Sequence, residues 1–523
     1  MKKPRLVILL VFLISKLVFG YQPSSDANDA FDVCETQACV NAASRIIKMG
    51  NPSVEPCEDF YEFACGGFLN STESTRNSIE IDSFTEVDTK FYKRLEKILE
   101  QNITTNDFKY LKLAKSLYKI CSNKIDIFVN SMEPSGGWPV LKGSNWNENL
   151  LNSTVTKRTL ANYVMHKHLR DSDLLINLLS PHYEQCAEFV STKLPIAVGA
   201  IYVQSYNRSW IMNAKDNISK MTLKIKEKFC EIIKEADGID QETKKRMEEK
   251  LQLTTHIIGR LNDFTNNTKV DKFHEDFELF YEDNFFDAAI QLLVKNMTRD
   301  DHIWFYSALS MTYSFTMFDP SSNRTSISYT FPESEFFDSE QPNYINYGAM
   351  GYLIGDLIAK ILNNYGSHFD LYELDPDERA YDSLWTLTST RNFKNKSKCF
   401  IEQYSNYKVK ELGLNLNGRI FRNINVADHG GIKAAYRAYN DLSTSDQRLP
   451  GLSYTPKQMF WIRYANMWCQ KTTPELLKKY INREYPPNKF RVIGPLSNMP
   501  EFAKDFKCPS GSNMNPVKKC PIW

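Results

Sequence analysis

The chain has 523 residues, 42% of them apolar and 13% aromatic, which is enough to bury a large core and excludes a disordered polymer. Its 64 Lys and Arg balance 63 Asp and Glu to a net charge of +1, so nothing points to nucleic acid or to a polybasic membrane patch. The N-terminus, MKKPRLVILLVFLISKLVFGYQ, places Lys2, Lys3 and Arg5 ahead of a short apolar run that Lys16 interrupts before Gly20. That is the pattern of a signal peptide over residues 1–20, and the run falls short of the ~20 apolar residues of a spanning helix. A secreted, extracellular protein with no transmembrane span in the mature chain is expected; anchoring through an uncleaved N-terminal segment is the alternative.

After a polar stretch, YQPSSDANDAFDVCETQAC, ordered structure is expected to begin near Cys34 and Cys39. From Asp82 to Ile125 apolar residues recur at three- and four-residue steps and predict amphipathic helices, ended by Gly136, Gly137 and Pro139. SKMTLKIKEKFCEIIKEA and DQETKKRMEEKLQLTTHIIGR predict two more, the second capped by Asp240 with Glu242 in its first turn. His256, ahead of IIGR, reads as packing at that helix's end. RTSISYTFP alternates as a short edge strand, and FRVIGPLSN reads as a second strand. The fold class expected is mainly α with a minor β-sheet.

The cysteines are Cys34, Cys39, Cys57, Cys65, Cys121, Cys186, Cys230, Cys399, Cys469, Cys508 and Cys520. Scattered rather than paired as C-x-x-C, they read as a disulfide framework, and an odd count leaves one free. Glycosylation sequons stand at Asn70, Asn102, Asn152, Asn207, Asn217, Asn266, Asn296, Asn323 and Asn395, a density that fits a glycoprotein of the secretory pathway.

Tyr347 to Asn364 has helical periodicity and sets Asp356, Leu357 and Lys360 at i, i+1 and i+4. H-E-x-x-H uses that spacing to bring two zinc-binding His onto one face with a general-base Glu between them. Read alone, DLIAK is an amphipathic helix with an Asp/Lys pair. Other candidates are weaker. His166 and His168 are two apart on a helix and point in different directions. His429 beside Asp428 reads as a structural hydrogen bond rather than a catalytic dyad.

INYGAMGYLIGDLIAKILNNYGSHFD resembles the stretch of the neprilysin-like zinc metallopeptidases (M13) that carries H-E-x-x-H, and the likeness extends through PCEDFYEFACGGFL, DQETKKRMEEKL, VADHGGIKAAYRAY, KQMFWIRYANMWC and the terminal FRVIGPLSNMPEFAKDFKCPSGSNMNPVKKCPIW. The resemblance implies a two-lobed, zincin-type fold whose lid lobe is shortened, with a block missing around Trp138 to Glu184. It implies an N-terminal region over residues 21–317, comprising the lid lobe and a segment packed on the C-terminal domain, and a catalytic-type domain over 318–523. The family's two zinc-binding His fall on Asp356 and Lys360, its catalytic Glu on Leu357, and its third ligand, a Glu, on Ile424. The Asp that orients a zinc-binding His matches Asp428, left with nothing to orient. The transition-state His falls on Tyr485, the substrate-binding Arg on Arg491, and the substrate-gripping strand on Phe315 to Phe318.

Lys360 brings a charge and no lone pair, Ile424 no donor, and Leu357 no base. The expectation is a secreted pseudopeptidase without zinc or other cofactor, binding extracellular peptides or proteins without cleaving them. The alternatives are an active metalloendopeptidase with unorthodox ligands and a non-catalytic carrier or structural protein. The family pattern further implies the pairs Cys34–Cys39, Cys57–Cys508, Cys65–Cys469, Cys121–Cys186 and Cys399–Cys520, with Cys230 a buried free thiol.

Overall fold

The computed structural model describes residues 32–72, 80–132, 183–259, 261–277, 292, 316–319, 323–328, 330, 336–362, 384–442, 446–481 and 486–523. In chain order the elements are α1 (Gln37–Met49), α2 (Phe60–Ser71), β1 (Glu80–Asp82), α3 (Ser83–Leu99), α4 (Lys109–Met132), α5 (Tyr183–Lys193), α6 (Pro195–Gln204), α7 (Arg208–Glu235) and α8 (Gln241–Leu253). There follow β2 (Thr255–Ile258), α9 (Leu261–Phe264), α10 (Asn267–Phe273), β3 (Thr316–Asp319), β4 (Arg324–Ile327), α11 (Asn343–Asn346), a π-helical turn (Tyr347–Gly351) and α12 (Tyr352–Leu362). The remainder is α13 (Leu387–Ser405), β5 (Lys408–Val409), β6 (Leu414–Asn415), α14 (Gly418–Asn440), α15 (Pro456–Met467), β7 (Gln470–Thr472), α16 (Pro474–Tyr480), α17 (Asn488–Ser497) and α18 (Pro500–Asp505).

Two compact units divide the chain, and neither is a continuous segment. The first takes the residues up to Val87 together with Ser209–Gly259 and Ser314–Trp523; the second takes Asp88–Arg208 and Arg260–Tyr313. In the second, α6 is buried along Pro195–Val203, and Gly199 lies against the Phe264 ring where a methyl would come within 2.7 Å. Gln204 Nε2 donates to the Phe264 carbonyl (2.7 Å), and the Cys121–Cys186 disulfide closes α4 onto α5.

In the first unit, α1 starts where Thr36 accepts from the Cys39 amide and buries Cys39, Ala43, Ile46 and Met49 on one stripe. Cys57–Cys508 and Cys65–Cys469 staple this N-terminal segment to the end of the chain across 451 and 404 residues. Loops so long gain the most in the chain-entropy account, on the order of 4.7 kcal/mol for a 100-residue loop. β1 pairs antiparallel with β7 across the same junction. Cys34–Cys39 and Cys399–Cys520 complete the five pairs that the resemblance implies. Cys230 is unbonded and half-buried, and burial pushes its thiol up.

The structure corrects several sequence-based expectations. Arg324–Ile327 is the central strand of a three-stranded sheet ordered β2-β4-β3, not an edge. It pairs parallel with β2 and antiparallel with β3. His256 lies in β2 rather than at a helix end, with its Nδ1 2.8 Å from Thr325 Oγ1. FRVIGPLSN is helical, forming most of α17: Phe490, Val492 and Leu496 are buried among neighbouring helices, and tertiary packing overrides the β-branched pair. Asp240 does cap α8, accepting from the Thr243 amide at 2.8 Å.

The middle of the unit is set by two close helix crossings. A methyl on Gly355 of α12 would stand 2.3 Å from the Gly431 carbonyl of α14, and one on Gly348 2.5 Å from the Phe460 carbonyl of α15. Only glycine allows backbones so near. α15 is held at its start by a capping box between Thr455 and Gln458.

Candidate functional site

The crossing of α12 and α14 sets the candidate site. On α12, Tyr352, Asp356 and Lys360 are spaced four apart and share one face. Asp356 is 3% exposed; its Oδ2 is 2.7 Å from Lys360 Nζ, and its Oδ1 is buried with no protein partner. Leu357 and Ile424, at 2% and 1% exposure, are buried hydrocarbon.

Asp428 on α14 is fully buried. Tyr352 donates its hydroxyl to Oδ1 (2.6 Å), Arg491 on α17 donates Nε to Oδ2 (2.9 Å), and Arg491 Nη2 reaches both Oδ1 and the Tyr352 hydroxyl (3.1 Å to the latter). The Arg491 guanidinium lies 3.9 Å from the Trp468 ring centroid, and its backbone carbonyl accepts from Tyr464 (2.6 Å). Burial raises the Asp428 pKa against the pull of Arg491. Burial also works against the Arg491 charge, but Asp428 outweighs it and holds the guanidinium well above its ordinary value. The arrangement is a forked, charge-assisted pair through Arg491 Nε and Nη2.

Two expectations change here. Asp428, expected to have nothing to orient, fixes both Tyr352 and Arg491. His429 makes no hydrogen bond through Nδ1; it is buried, its ring 5.7 Å from that of Phe400, and burial, with Lys433 nearby, pushes its pKa down to about 3. Arg491 is turned into the core, 6% exposed. Tyr485, Phe315, His166 and His168 lie outside the described residues. Thr316, Met317 and Phe318 belong to β3, an end strand of the sheet formed by the described residues. Tyr352, Tyr464 and Trp468 were not singled out from sequence; the i−4 spacing of Tyr352 from Asp356 was the available signal.

The donors at the positions assigned to zinc do not fit that ion. Of three positions, one is a carboxylate already held by an ammonium, one is the ammonium, and one is an alkyl group, whereas zinc takes thiolate, imidazole or carboxylate ligands. Among the described residues no group of three or more His, Cys, Asp or Glu is placed to hold a metal. Of the sequons, Asn70, Asn102, Asn207, Asn266 and Asn395 are exposed and Asn217 and Asn323 half-buried. Asn323 sits at φ 48° with Oδ1 accepting from Thr254. Asn152 and Asn296 lie outside the described residues.

Two family models, both for peptidase family M13, match residues 316–522 and residues 56–136 with 146–260. Neprilysin-2 of Drosophila melanogaster is 25% identical over 732 aligned positions, covering 98% of this chain and 92% of that protein. That span exceeds 523 residues, so the relative carries stretches this chain lacks. Membrane metallo-endopeptidase-like 1 of Homo sapiens is 23% identical, with 99% and 93% covered. Neprilysin-11 of Caenorhabditis elegans is 32% identical over 66% of this chain and 41% of its own length. Among solved structures, the Haemonchus galactose-containing glycoprotein complex superposes with a TM-score of 0.69 at 16% identity, covering 93% of this chain and 99% of the other. The zinc metalloprotease Zmp1 of Mycobacterium tuberculosis, bound to an inhibitor, gives 0.60 at 14% identity, with 91% and 98% covered. At such identities the structural likeness speaks to the fold alone.

Proposed function

Since the chain belongs to peptidase family M13, we propose that it is a secreted, glycosylated pseudopeptidase that binds extracellular peptides or protein partners and does not cleave them. The observation that carries this reading is the Asp356–Lys360 ion pair, with Leu357 and Ile424 beside it, at the positions the family's zinc ligands and base would take. Metallopeptidase chemistry needs a Lewis acid and a group that takes a proton from the attacking water. An ammonium and two alkyl side chains supply neither. An active enzyme with unorthodox ligands would need another base, and the one carboxylate on α12, Asp356, is held by Lys360.

The binding half of the proposal rests on β3. A strand at the end of a sheet can offer a row of amides and carbonyls to an extended peptide, and β3 is an end strand of the sheet formed by the described residues. The carrier reading has its own support: Arg491 is spent on Asp428 inside the core rather than offered to a ligand. Export is supported by the N-terminal pattern, the sequons and five disulfides. No single helix among the described residues is long and apolar enough to cross a membrane.

The test is a metal analysis of the purified protein beside incubation with a broad peptide library, read by mass spectrometry for bound and for cleaved peptides. The proposal expects no stoichiometric zinc, intact peptides and a retained subset. One zinc per chain or chelator-sensitive cleavage would overturn it, and intact peptides with none retained would leave the carrier reading.

A further inference from the structure

An Asp, Asn, Ser or Thr ahead of a helix ordinarily closes one N-terminus, its side-chain oxygen accepting from an amide two or three residues on. Asp240 does this for α8, with Oδ1 on the Thr243 amide at 2.8 Å. Its other oxygen serves a different helix. Oδ2 accepts from the hydroxyls of Ser389 (2.7 Å) and Thr386, and Thr386 is itself the N-cap of α13, its Oγ1 accepting from the Ser389 amide at 3.2 Å. The two helix starts also bond each other directly: the Thr386 amide donates to Thr243 Oγ1 (3.1 Å) and the Asp240 amide to Ser389 Oγ (2.9 Å). Farther along the Ser389 face of α13, Asn392 and Lys396 donate to the carbonyls of Gly238 and Asp237 in the turn before α8, at 3.0 and 2.6 Å.

The hydroxyl protons in this cluster have one consistent order. An ionised carboxylate accepts and cannot donate, and a hydroxyl has a single proton to give. The protons of Thr386 and Ser389 therefore both point at Asp240 Oδ2. At the 3.3 Å contact between the Thr243 and Thr386 hydroxyls, Thr243 is then the donor. Thr243 and Ser389 are fully buried, so a proton turned the other way would lose its hydrogen bond where bulk solvent does not reach. Burial works against the Asp240 charge, but the hydrogen bonds from Thr386, the Thr243 amide and Ser389 outweigh it and bring the pKa down to about 2.

We propose that Asp240 is a shared cap: its one carboxylate closes the N-termini of α8 and α13 together and sets the direction of the hydroxyl protons of Thr243, Thr386 and Ser389, so that the two helix starts open as one. The clasp joins positions 146 residues apart. It also reaches the candidate site, because Trp385, next to Thr386, donates Nε1 to the Leu362 carbonyl at 3.0 Å, at the end of the helix that carries Asp356 and Lys360. It acts whether or not the chain binds peptides.

Amide hydrogen exchange and thermal unfolding of the full chain, with the variants Asp240→Asn, Asp240→Ala, Thr386→Ser and Thr386→Val, test the clasp. An ordinary N-cap accepts Asn about as well as Asp. A shared one does not, because an amide that keeps its oxygen on the Thr243 N–H turns its own NH2 toward two hydroxyls that need an acceptor. Asp240→Asn should therefore lower Tm nearly as far as Asp240→Ala, and should speed exchange about tenfold or more in the first turns of α8 and α13 alike. Thr386→Ser, which keeps the hydroxyl, should leave both close to wild type. A Tm for Asp240→Asn close to that of the wild type overturns the proposal, and so does faster exchange confined to α8. Where the Asp240 variants do not fold, Thr386→Val decides: exchange should quicken at the start of α8 as well as of α13, and a change confined to α13 overturns the shared cap.

Discussion

Two buried ion pairs, one within α12 and one from α14 to α17, are built on different terms. Asp356–Lys360 is local: two positions of one helix, a single contact at 2.7 Å, and a second carboxylate oxygen left buried without a partner. Asp428–Arg491 joins two helices 63 residues apart in sequence, is bidentate, and is completed by the Tyr352 hydroxyl and the Trp468 ring. The local pair can be lost without undoing the packing around it, whereas the long-range pair is part of how α14 and α17 are held together. A buried charge is tolerable in proportion to how completely its partners satisfy it.

The comparison breaks most visibly at Arg491. Arg491→Met leaves Asp428 buried and uncompensated and should cost about 3–5 kcal/mol in urea unfolding, while the double variant with Asp428→Leu should recover much of the loss. Next is reconstruction of a metal site on the local pair. The triple variant Asp356→His, Leu357→Glu, Lys360→His has two protein ligands and should bind zinc weakly by calorimetry. Adding Ile424→Glu supplies the third and should tighten binding at least about 100-fold, roughly 2.7 kcal/mol. Tight zinc binding by the triple variant alone would show that Ile424 is not the third position. Lys360→Met removes the partner of a half-satisfied carboxylate and should cost about 1–3 kcal/mol; with Asp356→Leu as well, much of the loss should be recovered.

The smallest effect is that of pH, through buried groups outside these pairs. His429 has its pKa pushed from 6.5 down to about 3 by burial, with Lys433 adding to it. Below pH 6.5 the unfolded chain takes up a proton that the fold refuses, so stability falls, by about 1.4 kcal/mol at pH 5.5. Asp82 has its pKa raised from 3.8 to about 6, chiefly by burial. There the fold takes the proton first, so stability rises as pH falls through 6, by about 0.8 kcal/mol at pH 5.5. Burial lowers the His256 pKa to about 4 as well, which adds a similar loss, so urea midpoints should fall from pH 7 to 5.5 in the wild type and should fall less in a His429→Phe variant that folds.

Local signals were legible in the sequence. Asp240 before an apolar-periodic run capped its helix, and the three- and four-residue steps after Asp82 became α3 and α4. Strand position was not legible: RTSI carries no mark of whether one neighbour or two will pair with it, since β2 and β3 lie on either side of it in space and not in sequence. FRVIGPLSN shows the same limit, its β-branched pair outweighed by burial of a helical face. At the site, the identity and spacing of Asp356, Leu357 and Lys360 were plain, but the partners of Asp428 were not.

The sequence by itself determined what chemistry is on offer. Side-chain type decides whether a group has a lone pair, a charge or a transferable proton, and helical spacing decides which neighbours on one helix share a face; both are local and need no fold. Only the tertiary structure decided where the long-range charges go. Arg491 meets Asp428 because Gly355 and Gly431 let α12 and α14 close to backbone contact while α17 packs across α14, and the resulting satisfaction or orphaning of each buried polar atom is set by helices distant in sequence.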